Sequence, residues 1–229
     1  MRPQIVTQGI VLSRTDFQEA DRILTVLTPD QGKLRLIAKG VRRPKSKLAG
    51  GIELLSISDL TILPSTRELK TLISSRLNKH YGQIVTDIQR TMLAYELLKT
   101  INRHTEDEPE ESYYQLIVDA LEGLNDLDIP YQLVELWFTM RLLFINGHAP
   151  NVRVDTEGVS LAADKQYMFD FDSMSFREQN AGQFVANHIK LLRLCVSADT
   201  PMRLKKVKHF EVYLGDTLSL TRNMLKQNA

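Results

Sequence analysis

The strongest constraint on the fold is a change of hydrophobic period near residue 80. Before it, apolar residues alternate with polar ones in short runs, the period of a strand with one buried face. These runs cover Gly9 to Ser13, Arg22 to Thr28, Lys33 to Lys39, Ile52 to Ile62 with one interruption, and Leu69 to Leu77. Turn residues part them, Pro29-Asp30-Gln31-Gly32 and Pro64-Ser65-Thr66-Arg67 among them. A small sheet of this length hides its edges best by closing on itself, so a five-stranded OB-fold barrel is expected, with an SH3-like barrel as its rival.

After residue 80 the period is 3.6. Ile84, Ile88, Met92, Tyr95 and Leu98 predict the buried stripe of a first helix. Beyond the acidic break Glu106-Asp107-Glu108-Pro109-Glu110-Glu111, Ser112 and Gln115 form a capping-box pattern. It opens a second helix carrying Tyr113, Leu116, Ile117, Ala120, Leu121 and Leu124. A third carries Leu133, Leu136, Trp137, Met140 and Phe144 and ends at Gly147. Val159-Ser160-Leu161 and Tyr167 to Phe171 alternate like two strands turning at Asp164-Lys165. Helical spacing then resumes at Val185, Ile189, Leu192 and Val196, and again from Val207 to Leu225. The expected class is α+β: an OB-fold domain over 1–80, then a mainly helical domain over 81–229 with a small β-hairpin inserted around 152–178.

Charge divides along the same boundary. The net +1 of the 229 residues hides 14 Lys/Arg against 7 Asp/Glu in 1–80, 7 against 18 in 81–181, and 8 against 3 in 182–229. A polyanion is drawn to both ends and repelled by the middle. No apolar run reaches the ~18 residues of a membrane span, and Met1-Arg2-Pro3-Gln4 leads into no signal-peptide core, so the expected place is the cytoplasm. One cysteine, Cys195, makes neither an internal disulfide nor a thiolate cage, and among Leu191, Leu192 and Leu194 it reads as a buried hydrophobe.

The densest signal is Lys33 to Lys47, where seven of fifteen residues are Lys or Arg and none is acidic. Strand alternation turns Leu34, Leu36 and Ala38 inward and sets Lys33, Arg35 and Lys39 on the outer face. Arg42, Arg43, Lys45 and Lys47 follow in a segment between Gly40 and Gly50-Gly51, expected to be a mobile arm. Cations so arranged displace counterions from a phosphate polymer. A merely solvated face is the bland alternative; an anionic membrane surface lacks the interleaved large apolar residues it needs. Phe17 is the one aromatic residue of 1–80, so backbone contact to both single- and double-stranded DNA is expected, with little base stacking.

Catalytic patterns are missing. The five histidines, His80, His104, His148, His188 and His209, are too scattered for a local metal motif, and no phosphate-binding loop, nucleophile elbow or dinucleotide fingerprint occurs. Asp170 and Asp172 share a strand face, which is ordinarily a solvated edge. No catalytic residue, metal or cofactor is expected.

Gly9-Ile10-Val11-Leu12, Asp16-Phe17-Gln18-Glu19-Ala20-Asp21-Arg22-Ile23-Leu24, Leu27-Thr28, Gly32-Lys33, Ala38-Lys39-Gly40, Arg42-Arg43 and Ser46 closely resemble the N-terminal domain of the RecO family of bacterial recombination mediators. Leu142-Leu143 with Gly147-His148-Ala149-Pro150 is similar to that family's element after the central helices. The resemblance implies a nucleoid-associated DNA-repair and recombination protein that binds single- and double-stranded DNA and anneals strands. It also implies help in loading RecA on DNA covered by single-strand-binding protein, with RecR and that protein's acidic C-terminal tail as partners. Arg203, Lys205, Lys206 and Lys208, beside Leu204 and Val207, are the candidate tail site. Many relatives follow this point with a four-cysteine zinc site, but here Asp155 and Gly158 stand at the first Cys-x-x-Cys spacing. A metal-free hairpin held by Val159, Leu161, Met168, Phe169 and Phe171 is therefore expected. A protein-protein adaptor and an RNA-binding OB protein remain the alternative readings.

Overall fold

The computed structural model describes residues 4–66, 68–105 and 111–228; Arg67 and residues 106–110 of the acidic break lie outside them. Strands β1 (Ile5–Phe17), β2 (Asp21–Thr28), β3 (Gly32–Ala38), β4 (Ser56–Leu63) and β5 (Leu69–His80) form a closed barrel in the order β1-β2-β3-β5-β4. A simple meander would set β4 beside β3. Here β5 runs parallel to β3 between them, and β1 closes the ring by pairing with both β2 and β4, the OB arrangement. An irregularity between Val11 and Ser13 lets one long strand serve both partners. Gly9 sits where they crowd: a Cβ there would lie 2.5 Å from Val26 Cγ1 and 2.8 Å from Leu60 Cδ1. Leu34, Leu36 and Ala38 point into the core with Val11, Leu24, Val26 and Leu60, as the alternation predicts.

Two helices accompany the barrel in the first compact unit, which ends at Asn125: α1 (Ile88–His104) and α2 (Glu111–Asn125). The predicted face of α2 holds, since Tyr113, Leu116, Ile117, Ala120, Leu121 and Leu124 are all buried. Its start does not, because Ser112 is the second residue of the helix rather than its cap. The predicted stripe of α1 also fails: Ile88, Met92 and Tyr95 are 68%, 59% and 45% exposed. Ile84 belongs to a separate 3-10 turn, and the helix starts afresh at Asp87, whose carboxylate caps the amides of Gln89 and Arg90. The buried face is Arg90, Ala94, Leu97, Leu98 and Ile101. Hydropathy hides it because Arg90 is the anchor, its guanidinium donating to the Leu124 carbonyl at 2.8 Å.

The second unit begins at Asp126. Its centre is α3 (Tyr131–Ile145), apolar on almost every side and packed by α4 (Ala186–Ser197) and α5 (Glu211–Gln227). Phe144 is the exception to the predicted core, 55% exposed with the Arg141 guanidinium 5.5 Å from its ring. Burial pushes the Cys195 thiol up to about 12. Between α3 and α4 lie β6 (Asn151–Asp155), β7 (Gln166–Asp170), β8 (Ser175–Glu178) and β9 (Phe184–Val185), a sheet ordered β6-β8-β7-β9. The hairpin is β7–β8, with Tyr167 opposite Glu178; the predicted first strand, Val159 to Leu161, contributes only the bridge Ser160 to Val154. The Asp155 carboxylate explains this, accepting from the amides of Glu157 and Val159 at 2.9 and 2.8 Å and curling the chain out of strand geometry. The sheet is held by Tyr167, Phe169, Phe176 and Phe184 in edge-to-face contact, whereas Val159 is 52% exposed. Among the described residues no helix is long and apolar enough to cross a membrane.

Candidate nucleic-acid interface

The basic segment leaves β3 through Gly40, which turns it at φ +64°. It is not the arm the sequence suggests. The Gly40 amide donates to Asp21 Oδ1 at 2.7 Å and the Arg42 amide to the Ala20 carbonyl at 2.9 Å, while Val41 is 4% exposed. Turn bonds from Arg43 to Gly40 and from Ser46 to Arg43 continue the path, and Ser75 Oγ on β5 donates to the Leu48 carbonyl at 2.9 Å. The segment is thus anchored on β2, on the β1–β2 turn and on β5, and its cations are presented in a fixed order.

The seven predicted cations then separate. Lys33 is occupied: its ammonium donates to the carbonyls of Asn102, at 3.1 Å, and Thr105, at the C-terminal end of α1. Arg35 is ion-paired with Glu68 at 2.7 Å, and Arg42 reaches Asp16 and the Glu19 carbonyl, both at 3.4 Å. Lys39, Arg43, Lys45 and Lys47 are exposed and have neither a hydrogen-bond nor an ion-pair partner among the described residues. The sequence reading missed Arg76, also exposed and without such a partner, next to the Ser75 that holds Leu48. Its neighbours in charge, Lys70 and Lys79, are too far along β5 for the run to show. Asp16 is the local acid: a hydrogen bond from Arg22, then the charges of Arg42, Arg22 and Arg14, hold its carboxyl below the usual range.

The four predicted C-terminal cations scatter similarly. Arg203 pairs with Asp199 at 2.8 Å, and Lys205 with Asp128 at 2.7 Å and Asp126 at 3.2 Å, contacts that raise its pKa. Lys206 and Lys208 are exposed without a hydrogen-bond or ion-pair partner among the described residues. Lys208 lies on the rim of a cavity of about 350 Å³ together with Lys190 and His209. The walls are Leu191, Leu194, Phe210 and Val212, of which Leu194 and Val212 are 43% and 82% exposed. His209 is left-handed at φ 57°, a strained conformation for a histidine at the entry to α5. His188, edge-on to the ring of the cavity-lining Tyr213 at 5.1 Å, accepts from the Val185 amide through Nδ1. Burial lowers its pKa in spite of Asp216, 3.6 Å from Nε2.

Two family models account for almost the whole chain: Recombination protein O N terminal over residues 1–81 and Recombination protein O C terminal over residues 85–228. The chain belongs to the recombination protein O family. Relatives named DNA repair protein RecO include that of Acetivibrio thermocellus, 33% identical over 74% of this chain and 67% of the relative. Those of Streptomyces coelicolor and Bifidobacterium longum subsp. infantis are 37% and 36% identical over 62% and 70% of this chain, covering 60% and 67% of the relatives. The chain therefore spans about three fifths to two thirds of the length of these RecO proteins. At the first Cys-x-x-Cys spacing that the family resemblance points to, Asp155 is engaged by the amides of Glu157 and Val159, and Gly158 has no side chain. Among the described residues no cluster of three His, Cys, Asp or Glu is placed to hold a metal.

Proposed function

We propose that this chain is a DNA-repair and recombination mediator with no catalytic site, whose DNA-binding domain is residues 1–80. It binds single- and double-stranded DNA through backbone phosphates, anneals complementary strands by neutralising their repulsion, and assists RecA on DNA covered by single-strand-binding protein. The work is done in the cytoplasm, at the nucleoid, with RecR as a further partner. One observation carries the reading: Lys39, Arg43, Lys45 and Lys47 stand exposed on an anchored segment of an OB barrel in a RecO-family chain, with no hydrogen-bond or ion-pair partner among the described residues. With Lys33 occupied by α1, six cations of the run remain for phosphate. A salt titration of the full chain on single-stranded and duplex oligonucleotides should give a log-log slope of roughly −4 to −5. A slope near zero overturns the proposal.

For the acidic tail of single-strand-binding protein, the cavity between α4 and α5 is a better seat than the region around Lys205. Its walls are apolar, and Lys190, Lys208 and His209 line its edge. Lys208→Glu and Lys190→Glu should each weaken tail-peptide binding about tenfold. Lys205→Glu should change it little, because Lys205 already serves Asp126 and Asp128. Equal loss from all three variants overturns this placement.

The adaptor reading has one observation on its side, the exposed stripe Ile88, Met92 and Tyr95 along α1, with Val85 exposed on the 3-10 turn before it. Salt-resistant binding of a protein partner, without DNA affinity at ~150 mM salt, would favour it.

A further inference from the structure

The one Phe, Tyr or Trp of the first 80 residues, Phe17, stands opposite the residue that fastens the basic segment. Phe17 is the last residue of β1, 37% exposed, and among the described residues its ring has no aromatic or cationic partner. Single exposed phenylalanines are common and by themselves mean little. The surroundings of this one are specific. Phe17 is the cross-strand partner of Asp21, so both side chains stand on one face of the β1–β2 hairpin. Asp21 is the residue that accepts the Gly40 amide, at 2.7 Å, so this is the face on which the basic segment lands. Arg43 folds back over Gly40: a Cβ at Gly40 would lie 3.7 Å from Arg43 Cδ and 3.9 Å from its Nε. Across the hairpin, Arg42 wraps the turn through Glu19 and Asp16, with Gln18 left-handed at φ 50° at the tip. An open ring thus shares the hairpin face on which the basic segment is fastened, the segment whose Arg43 has no hydrogen-bond or ion-pair partner among the described residues.

We infer that Phe17 stacks on one unpaired base of single-stranded DNA while Arg43 and Lys45 hold the adjoining phosphates. The inference rests on the phosphate-binding reading above and adds to it a determinant of strand preference. In a duplex the faces of the bases are already covered by their neighbours, so a ring at a hairpin tip gains only from a base that is free to splay outward. One ring also suits annealing. A protein with several stacking rings sequesters several bases, whereas this barrel holds its strand chiefly by phosphates and leaves all but one base open to a complementary strand.

The test compares full-length wild type, Phe17→Ala, Phe17→Trp and the pair Arg43→Glu with Lys45→Glu. The probes are oligothymidylate, an abasic oligomer of equal length, oligouridylate and a duplex, all at one salt concentration. Phe17→Ala should weaken oligothymidylate binding roughly tenfold and leave the abasic and duplex probes unchanged. Phe17→Trp should keep the affinity and show fluorescence quenched by oligothymidylate but not by the abasic chain. The charge pair should weaken every probe. Equal loss on all probes from Phe17→Ala would mean that the ring only shapes the segment, and the inference fails. Unchanged oligothymidylate binding, or an unquenched Trp, also overturns it while the charge pair still vindicates the phosphates. Tighter binding to oligouridylate than to oligothymidylate would overturn the choice of DNA, and a wild type that binds no probe removes both readings.

Discussion

Replacing Lys39, Arg43, Lys45 and Lys47 together by glutamate should cut DNA affinity by more than about a hundredfold at ~150 mM salt and lower the salt slope to about −1.5. The number follows from what is left: Arg35 and Arg42, each already paired, with coefficients of roughly 0.7 to 0.9 per phosphate contact. Annealing should disappear with binding. The four side chains are exposed and touch no partner among the described residues, so thermal stability should be unchanged within about 0.5 kcal/mol. Lys33→Ala is the opposite control. Its ammonium closes the carbonyl end of α1 at Asn102 and Thr105, so its loss should cost about 1 kcal/mol of stability and leave the slope as it was. A slope unmoved by the fourfold change, or one that falls with Lys33→Ala, would remove the cation run from the interface.

The separation of Lys33 from its neighbours marks where sequence reasoning stops. That a run of cations follows an alternating strand is visible in the letters, because one buried face imposes period two on β3. Which of those cations are occupied depends on Asn102, Thr105, Glu68 and Asp16, residues as many as 72 positions away, and no local pattern records such a partner. The order of the basic segment was hidden for the same reason. A glycine, two arginines and a proline look mobile until Asp21 and Ala20 are seen to fasten Gly40 and Arg42, and Ser75 to fasten Leu48 beyond them. The helices teach the converse. α2 was legible because its buried face is wholly apolar, whereas α1 buries an arginine and exposes an isoleucine, so its period survived and its phase did not. In the small sheet a single carboxylate, Asp155, outweighed an alternating pattern by curling its neighbours away from strand pairing. The cavity near Lys208 left no sequence signal at all, because Leu194 and Val212 contribute to it from different helices.

The second large effect belongs to Trp137, the one tryptophan of the chain. It is 1% exposed at the middle of α3, and its Nε1 donates to the Ala198 carbonyl at 2.8 Å, tying α3 to the end of α4. Trp137→Ala opens a cavity worth about 3–5 kcal/mol and leaves that carbonyl unpaired. Against a total stability of about 5–15 kcal/mol, the second unit should stand at or beyond its unfolding threshold at 37 °C. Trp137→Phe keeps most of the volume and loses only the hydrogen bond, so about 1–3 kcal/mol is expected. The cavity lined by α4 and α5 depends on this packing, and tail-peptide binding should therefore vanish in Trp137→Ala and persist in Trp137→Phe. The cation segment is anchored by Ala20, Asp21 and Ser75, all within the first compact unit, so DNA affinity and its salt slope should survive both changes. Peptide binding and DNA binding measured on the same alanine variant decide the matter. If both are lost together, the two units fold as one cooperative body and the interface cannot be assigned to the barrel alone.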